Sequence, residues 1–370
     1  MVKSPRFSEP SPLQGATNSQ PSTHGDTMDM ICKKTGLFGL ETPPAAASIR
    51  RIVDGFKAFH VLLAGYDSGL FDWLERNGPA NKQNIATALN LRGQHLGGFL
   101  QSLEDIGLLT SRDGLYRLVD DMRSVLLADS PWYKASELEE LLSPFCGWAD
   151  LSSFLSQGWV PSTQPKSYPP TQHPFFDEAR RLAACLKNRR DDCNPRTLLC
   201  FDGSNGLLAA MLCQGWPEVR ATVVVPLDAL PCTQHTLEAC GVIDRCRVLP
   251  GTPADPSTDD QFDYAVVFHS LYPFHVRKSL DSVLASFASR LAPGGELCTA
   301  HWFCLQACET APGGLRDLDK AVLTDCHPLC GIEKFGQRLE GAGLTGVERG
   351  ELAGEYGNTK LHFAQRLNEC

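Results

Sequence analysis

Residues 196–228, RTLLCFDGSNGLLAAMLCQGWPEVRATVVVPLD, narrow the possible folds of this chain more than any other stretch. An apolar run (197–201) leads into a short loop, an apolar helical segment from Leu207, and a second, β-branched run (221–225). That order predicts the opening βαβ unit of a parallel sheet, with the loop at the carboxyl edge where such folds take up ligands. Glycines at 203 and 206 allow close backbone approach, and Asp202 and Asn205 are among the few other residue types that accept positive φ. The G-x-x-G spacing by itself fits an ordinary strand-to-helix turn equally well.

A chain of 370 residues has room for about two domains. Its net charge of −9 argues against nucleic acid or an anionic membrane surface as the main partner. No apolar run is long enough to span a bilayer. The fifteen cysteines follow no repeated framework, and no apolar signal segment opens the chain. Reduced thiols in a cytoplasmic protein are the expectation.

Residues 1–44 form a polar leader rich in Ser, Pro, Gly and Thr, expected to be disordered. Residues 45–130 carry an apolar helical pattern over 49–64, further helices over 82–89 and 95–106, and a hairpin signal around Asp113-Gly114. Three helices and a hairpin predict a winged-helix unit. The helix from His95 carries Gln101, Glu104 and Asp105, with Arg92 as the nearby cation. That is a poor footprint for DNA. Pairing of the apolar helix with its copy in a second chain is the better expectation, so the unit is read as a dimerisation domain.

Residues 131–192 read as a helical connector roofing an active site, with one helix over 138–155 and a Pro-rich break at 161–174. Residues 193–370 continue the strand–helix alternation: strands at 246–249, 262–269 and 296–301, a helix over 276–291 closed by the P-G-G turn at 292–295, and a last strand pair around 354–358. The whole predicts an α/β protein with a seven-stranded, doubly wound sheet closed by an antiparallel hairpin.

Several phrases carry a family resemblance: G-L-F-D-W-L (69–74), I-G-L-L (106–109), D-G-S-N-G (202–206), F-D-Y-A-V-V-F-H (262–269), L-A-P-G-G-E-L (291–297) and K-L-H-F-A-Q-R (360–366). From about Ala45 onward the chain resembles the S-adenosylmethionine-dependent O-methyltransferases of the acetylserotonin (hydroxyindole) type. The resemblance implies a Rossmann-like class I methyltransferase sheet, S-adenosylmethionine as cofactor, a small aromatic hydroxyl compound as acceptor, and a homodimer.

It also implies site residues, and several depart from the family pattern. Where the family has D-x-G-G-G-x-G, this chain has Cys200 for the acid and Asp202 and Ser204 for two of the central glycines. Val225 stands where an acid holds the ribose hydroxyls, with Asp228 three residues on as a candidate substitute. Gly251-Thr252 replaces the Gly-Asp near the adenine. The expected cofactor edge is therefore Asp202, Gly203, Ser204, Gly206, Val225, Asp228, Gly251, Thr252 and Phe268. The family's L-H-D-W becomes Leu271-Tyr272-Pro273-Phe274. A phenol titrating near pH ~10 is no base at neutral pH, and a positioned base is worth roughly 10²–10⁴-fold. His301, at the end of the fifth sheet strand, is the one ionisable group left among three carried-over catalytic positions. It is expected to face the cleft as base, with Tyr272 and Phe274 shaping the acceptor pocket. The plainer alternative is that His301 merely caps the strand and bonds a neighbouring carbonyl.

His301, Cys304, Cys308, Cys326, His327 and Cys330 are the candidate metal ligands. The i, i+4 thiol pairs lack the C-x₂-C spacing usual for zinc, so no metal is expected. Two functions stay open: a methyltransferase, or a catalytically silent relative acting as a homodimeric binding or regulatory protein.

Overall fold

The structure, a computed structural model, describes residues 39–144, 146–157, 167–189, 194–303, 314–324, 331–354 and 356–367. The chain divides into two compact units, Met1–His60 and Val61–Cys370. In the first, the opening turns of the helix Ala46–Asp67 leave Ile49, Ile52, Val53 and Phe56 between 41 and 71% exposed. Spacing of three and four residues puts these side chains on one apolar face.

The second unit begins with the remainder of that helix, then the helices Leu70–Asn77, Lys82–Ala88 and Gly93–Asp105. Strands β2 (Leu109–Arg112) and β3 (Leu115–Leu118) pair antiparallel, and β1 (Ala80–Asn81) pairs with β3 on its other side. Asp113 and Gly114 turn this hairpin at φ 53° and 75°, the left-handed pair that a two-residue hairpin needs. Asn81 accepts the Asn84 N–H at 2.9 Å and caps the second helix. Leu70, Phe71, Ile85, Leu96, Leu100 and Leu103 fill the core between these elements.

The connector differs from expectation. Instead of one helix over 138–155 there are two, Ala135–Leu141 and Leu151–Gln157. Pro144 lies between them, and a proline both lacks the N–H and moves the residue before it out of the helical region.

The main sheet is built from β4 (Thr197–Asp202), β5 (Arg220–Val225), β6 (Cys246–Pro250), β7 (Phe262–Phe268), β8 (Leu291–His301), β9 (Leu344–Gly354) and β10 (Gly357–Arg366). Its order is β6-β5-β4-β7-β8-β10-β9. The first five strands run parallel, and β10 is antiparallel to both its neighbours. This is the seven-stranded α/β sheet of class I methyltransferases. One face is covered by the helices Phe176–Arg189, Leu207–Gly215 and Leu230–Ala239. The helices Leu280–Arg290 and Ile332–Gly341 cover the other.

Three local expectations change. The helix read over 276–291 is split at Ser279 into Phe274–Lys278 and Leu280–Arg290. The P-G-G segment lies inside β8: Phe262 pairs with Leu291 but Tyr264 pairs with Glu296, so residues 292–295 bulge out. A β-carbon on Gly295 would come within 2.8 Å of the Ala292 carbonyl, and Gly294 sits at φ 72°, so both glycines are required by the bulge. Strand β7 ends at Phe268, because His269 turns the chain at φ 46°. Among the described residues no helix is long and apolar enough to cross a membrane.

Arg189 fastens the end of its helix to the sheet. It binds Glu296 at 3.0 Å and Glu348 at 2.8 Å, and its guanidinium lies 4.2 Å from the Phe363 ring centroid. Glu296 is 2% exposed, so losing Arg189 removes a charge partner from a buried carboxylate. Urea unfolding of Arg189→Ala should show a loss of about 3 kcal/mol, the lower end for a broken buried pair. Arg189→Met combined with Glu296→Gln should recover most of it. A loss under about 1 kcal/mol would make the contact a surface pair.

Candidate active site

The carboxyl edge of the sheet begins at Asp202, whose side chain turns inward and is 3% exposed. One carboxylate oxygen accepts the Ser204 N–H at 2.8 Å and the Ser204 hydroxyl. The other accepts the Ala209 N–H at 3.0 Å, and Ser204 Oγ accepts the Leu208 N–H at 3.2 Å. At the start of the helix Leu207–Gly215, where amides are the usual ligand-facing donors of a βαβ loop, those of Leu208 and Ala209 are thus occupied by the chain's own side chains, and that of Leu207 by the Ser204 carbonyl. Burial pushes the Asp202 carboxyl above its ordinary range, opposed by these hydrogen bonds.

The glycines of this edge are used in the same way. A β-carbon on Gly203 would come within 2.7 Å of the Phe268 carbonyl, and one on Gly206 within 2.9 Å of Thr233 Cγ2. Gly206 also sits at φ 87°. Gly251 donates to the Val225 carbonyl at 2.9 Å, and a β-carbon there would meet the Asp255 carbonyl at 2.7 Å. Thr252 and Asp255 close a tight turn through two backbone bonds of 2.9 and 3.0 Å. Val225 is packed in the core at 1% exposure, while Asp228 lies exposed in the turn Leu227–Ala229. The fold therefore brings Asp202, Gly203, Ser204, Gly206 and Phe268 together, and Val225 beside Gly251. Asp228 stays in solvent.

Behind this edge runs a buried polar chain in which sequence reasoning identified only Tyr272. The Trp302 N–H donates to the Tyr272 hydroxyl at 2.8 Å. That hydroxyl lies 2.6 Å from His269 Nδ1, and His269 Nε2 lies 2.6 Å from Glu178 Oε1. The Thr359 hydroxyl donates to the same Glu178 oxygen. An ionised carboxylate only accepts, so Nε2 faces it as a donor, and in a neutral ring Nδ1 then accepts from Tyr272. The chain links Trp302, Tyr272, His269 and Glu178 in that order. Phe175 stacks on the imidazole at 5.1 Å and Trp302 packs at 4.2 Å from it. A polar residue closing a buried strand, three positions before Tyr272, was the available signal for His269. Glu178 and Thr359 had none.

His301 is fully buried. Its Nε2 accepts the backbone N–H groups of Ser270 at 3.2 Å and Leu271 at 3.3 Å, and its Nδ1 has no partner among the described residues. The ring therefore holds the loop after β7 in place, with its proton on Nδ1. Burial, then the neighbouring His269 and His362, pull its pKa well below the ordinary histidine value. Phe274 is 71% exposed and lines nothing in the interior. Cys304, Cys308, Cys326, His327 and Cys330 lie outside the described residues.

A pocket of about 220 Å³ lies within the second unit, walled by Trp148, Tyr168, Pro174, Val322 and Tyr356 among others. Trp148 Nε1 donates to Asp319 at 2.8 Å in its wall. The Tyr356 ring sits 5.7 Å from Trp302 and 6.3 Å from Phe175, so the pocket adjoins the aromatic shell of the buried chain.

No protein-family model matches the chain, and no curated protein matches it significantly in sequence. Solved structures do match. An O-methyltransferase family protein from Burkholderia thailandensis superposes with a TM-score of 0.70 at 16% identity, over 89% of this chain and all of that one. PigF with SAH gives 0.68 at 18% identity, over 88% of this chain and all of PigF. Human N-acetylserotonin methyltransferase in complex with SAM gives 0.62 at 15%, over 89% and 100%. At these identities the likeness shows the fold, which is that of the S-adenosylmethionine-dependent O-methyltransferases.

The buried histidines set a pH dependence. His301 is held well below its ordinary pKa, and burial, followed by Arg349, lowers His362 to about 4. Between the unfolded value of about 6.5 and these folded values the unfolded chain binds more protons, so stability falls as pH falls. Each group contributes up to about 1.4 kcal/mol per pH unit in that window. Asp202, with its raised pKa, acts in the opposite sense at lower pH. Urea unfolding at pH 7 and pH 5 should show lower stability at pH 5, and ¹⁵N-imidazole spectra should keep His301 neutral throughout. Equal stability at the two pH values would contradict this.

Proposed function

We propose that this protein, built on the O-methyltransferase fold, works as a homodimeric binding protein that is catalytically silent. The closed cofactor edge carries this reading. Ser204 and Asp202 take the helix amides of Leu208 and Ala209, and an apolar, buried Val225 stands at the ribose position. S-adenosylmethionine, the cofactor implied by the resemblance and held by human N-acetylserotonin methyltransferase, fits these residues poorly. Each missing polar partner costs roughly 1–3 kcal/mol, or about five- to 150-fold in affinity. Weak binding of this cofactor is the expectation. The aromatic pocket beside Tyr356 is the binding site for a small aromatic molecule. Three buried, unbridged thiols, Cys200, Cys213 and Cys298, support a reducing, cytoplasmic location.

Methyl transfer to a hydroxyindole-type acceptor is the second reading, favoured by the Tyr272–His269–Glu178 chain. In it the Tyr272 phenol has an imidazole to receive its proton and a carboxylate to hold the resulting cation. That is the help a lone tyrosine lacks as a base. Against it, the hydroxyl is buried and already engaged by Trp302 and His269.

Titration and labelled-cofactor assays separate the two. Binding of S-adenosylmethionine should be weak, Val225→Asp should tighten it about tenfold or more, and no hydroxyindole, phenol or thiol should be methylated by the unmodified chain. Turnover that is lost in Tyr272→Phe or His269→Gln would establish methyl transfer in place of the silent reading. Tight binding without gain from Val225→Asp would show that another residue holds the ribose.

The winged-helix reading of the N-terminal helices and hairpin goes with dimerisation. The exposed row Ile49, Ile52, Val53 and Phe56 is the proposed contact between copies. Light scattering at micromolar concentration should report a dimer, and Ile52→Asp with Phe56→Asp should leave a folded monomer. A monomer in the unmodified protein would refute the proposed contact.

A further inference from the structure

The pocket beside Tyr356 has a charge pattern that its shape alone does not require. Three aromatic rings, Trp148, Tyr168 and Tyr356, share its lining with three carboxylates, Glu137, Glu140 and Asp319. No lysine or arginine is among the described residues that line it. Of the neighbouring lysines, Lys134 pairs with the lining Glu137 at 2.5 Å, and Lys320 pairs with Asp317 at 3.2 Å. Asp319 takes its hydrogen bond from a neutral donor, the Trp148 indole N–H at 2.8 Å. Burial raises the Asp319 carboxyl pKa, the Trp148 bond opposes the shift, and the charge of Glu137 adds to it. A half-buried carboxylate near a second one, with a neutral partner, is stabilised by any cation brought between them. Electron-rich ring faces attract the same kind of group.

We infer that this pocket selects a small aromatic ligand carrying a protonated amine. The ring stacks among Trp148, Tyr168 and Tyr356, and the ammonium faces Asp319 and Glu137. A volume of about 220 Å³ accommodates one fused-ring system with a short side chain and little more. An anionic ligand of the same shape meets three carboxylates, and a neutral one brings no charge to Asp319, whose Trp148 partner is neutral. The inference rests on the reading of this pocket as the ligand site and adds the charge class.

Isothermal titration of the full chain at pH 7 with tryptamine, N-acetyltryptamine and indole-3-propionate tests it, since the three share a ring and differ in charge. Tryptamine should bind at least about tenfold tighter than either of the others, a cation–π and ion-pair difference of roughly 1.4 kcal/mol or more. Asp319→Asn keeps an oxygen to accept the Trp148 N–H, so it should preserve the fold, checked by thermal unfolding, while removing most of the preference. Glu137→Gln should weaken it less, because Lys134 already offsets part of that charge. Equal or tighter binding of the neutral or anionic compound would overturn the charge assignment and leave the pocket reading intact. So would a preference that survives both substitutions. Absence of binding in all three arms would remove the pocket reading and the inference with it.

Discussion

A single carboxylate oxygen, Glu178 Oε1, joins three parts of the second unit. It belongs to the helix Phe176–Arg189, accepts from Thr359 on β10, and lies 2.6 Å from the imidazole at the end of β7. A buried carboxylate is costly unless fully engaged. The elements that supply its partners must therefore keep their relative positions. Because the partners of Glu178 are themselves held, His269 by Tyr272 and Tyr272 by the Trp302 amide, the constraint runs along the whole carboxyl edge. Its second oxygen has no partner among the described residues, so the hold depends on Oε1. Phe175, Trp302 and Tyr356 then stack around this chain, and the last of them forms part of the pocket wall.

The same edge shows how a ligand-binding loop can be retained in shape and turned to internal use. Glycines 203, 206 and 251 still permit close approach, but the groups that approach are Phe268, Thr233 and Asp255 of the same chain. Asp202 illustrates the trade most directly. An acid placed at the end of β4 could have faced a positively charged ligand, yet Ser204 of the loop takes one oxygen and the Ala209 amide of the next helix takes the other. A satisfied internal network rigidifies the edge and leaves fewer free donors for an incoming molecule. His301 follows the same logic, spending its acceptor nitrogen on two backbone amides of the adjoining loop.

The division of roles in the second unit follows from these two facts. Polar groups at the sheet edge are consumed in holding the fold, while the pocket over the connector has apolar walls and acidic groups, with no lysine or arginine among the described residues that line it. The proposed recognition site accordingly lies away from the strand ends, at the aromatic cluster. Shape and charge in that cluster come from residues on separate elements: Trp148 in the connector, Asp319 in the helix Gly314–Thr324, and Tyr356 in the last hairpin.

Much of the architecture was legible in the chain itself, because period and punctuation are local properties. The apolar runs at 197–201, 221–225 and 262–268, and the glycines and prolines between elements, determined the sheet and its closing hairpin. The missing acid at Val225 and the missing histidine at Tyr272 were also written there. Boundaries failed where one residue decides them, as Pro144 does in the connector and His269 does at the end of β7. Only tertiary structure could decide the partners. Glu178 lies 91 residues from His269 and 181 from Thr359, and Trp148 lies 171 from Asp319. No periodicity encodes a contact across such separations. It exists because packing brings the elements together and a buried charge then requires a partner.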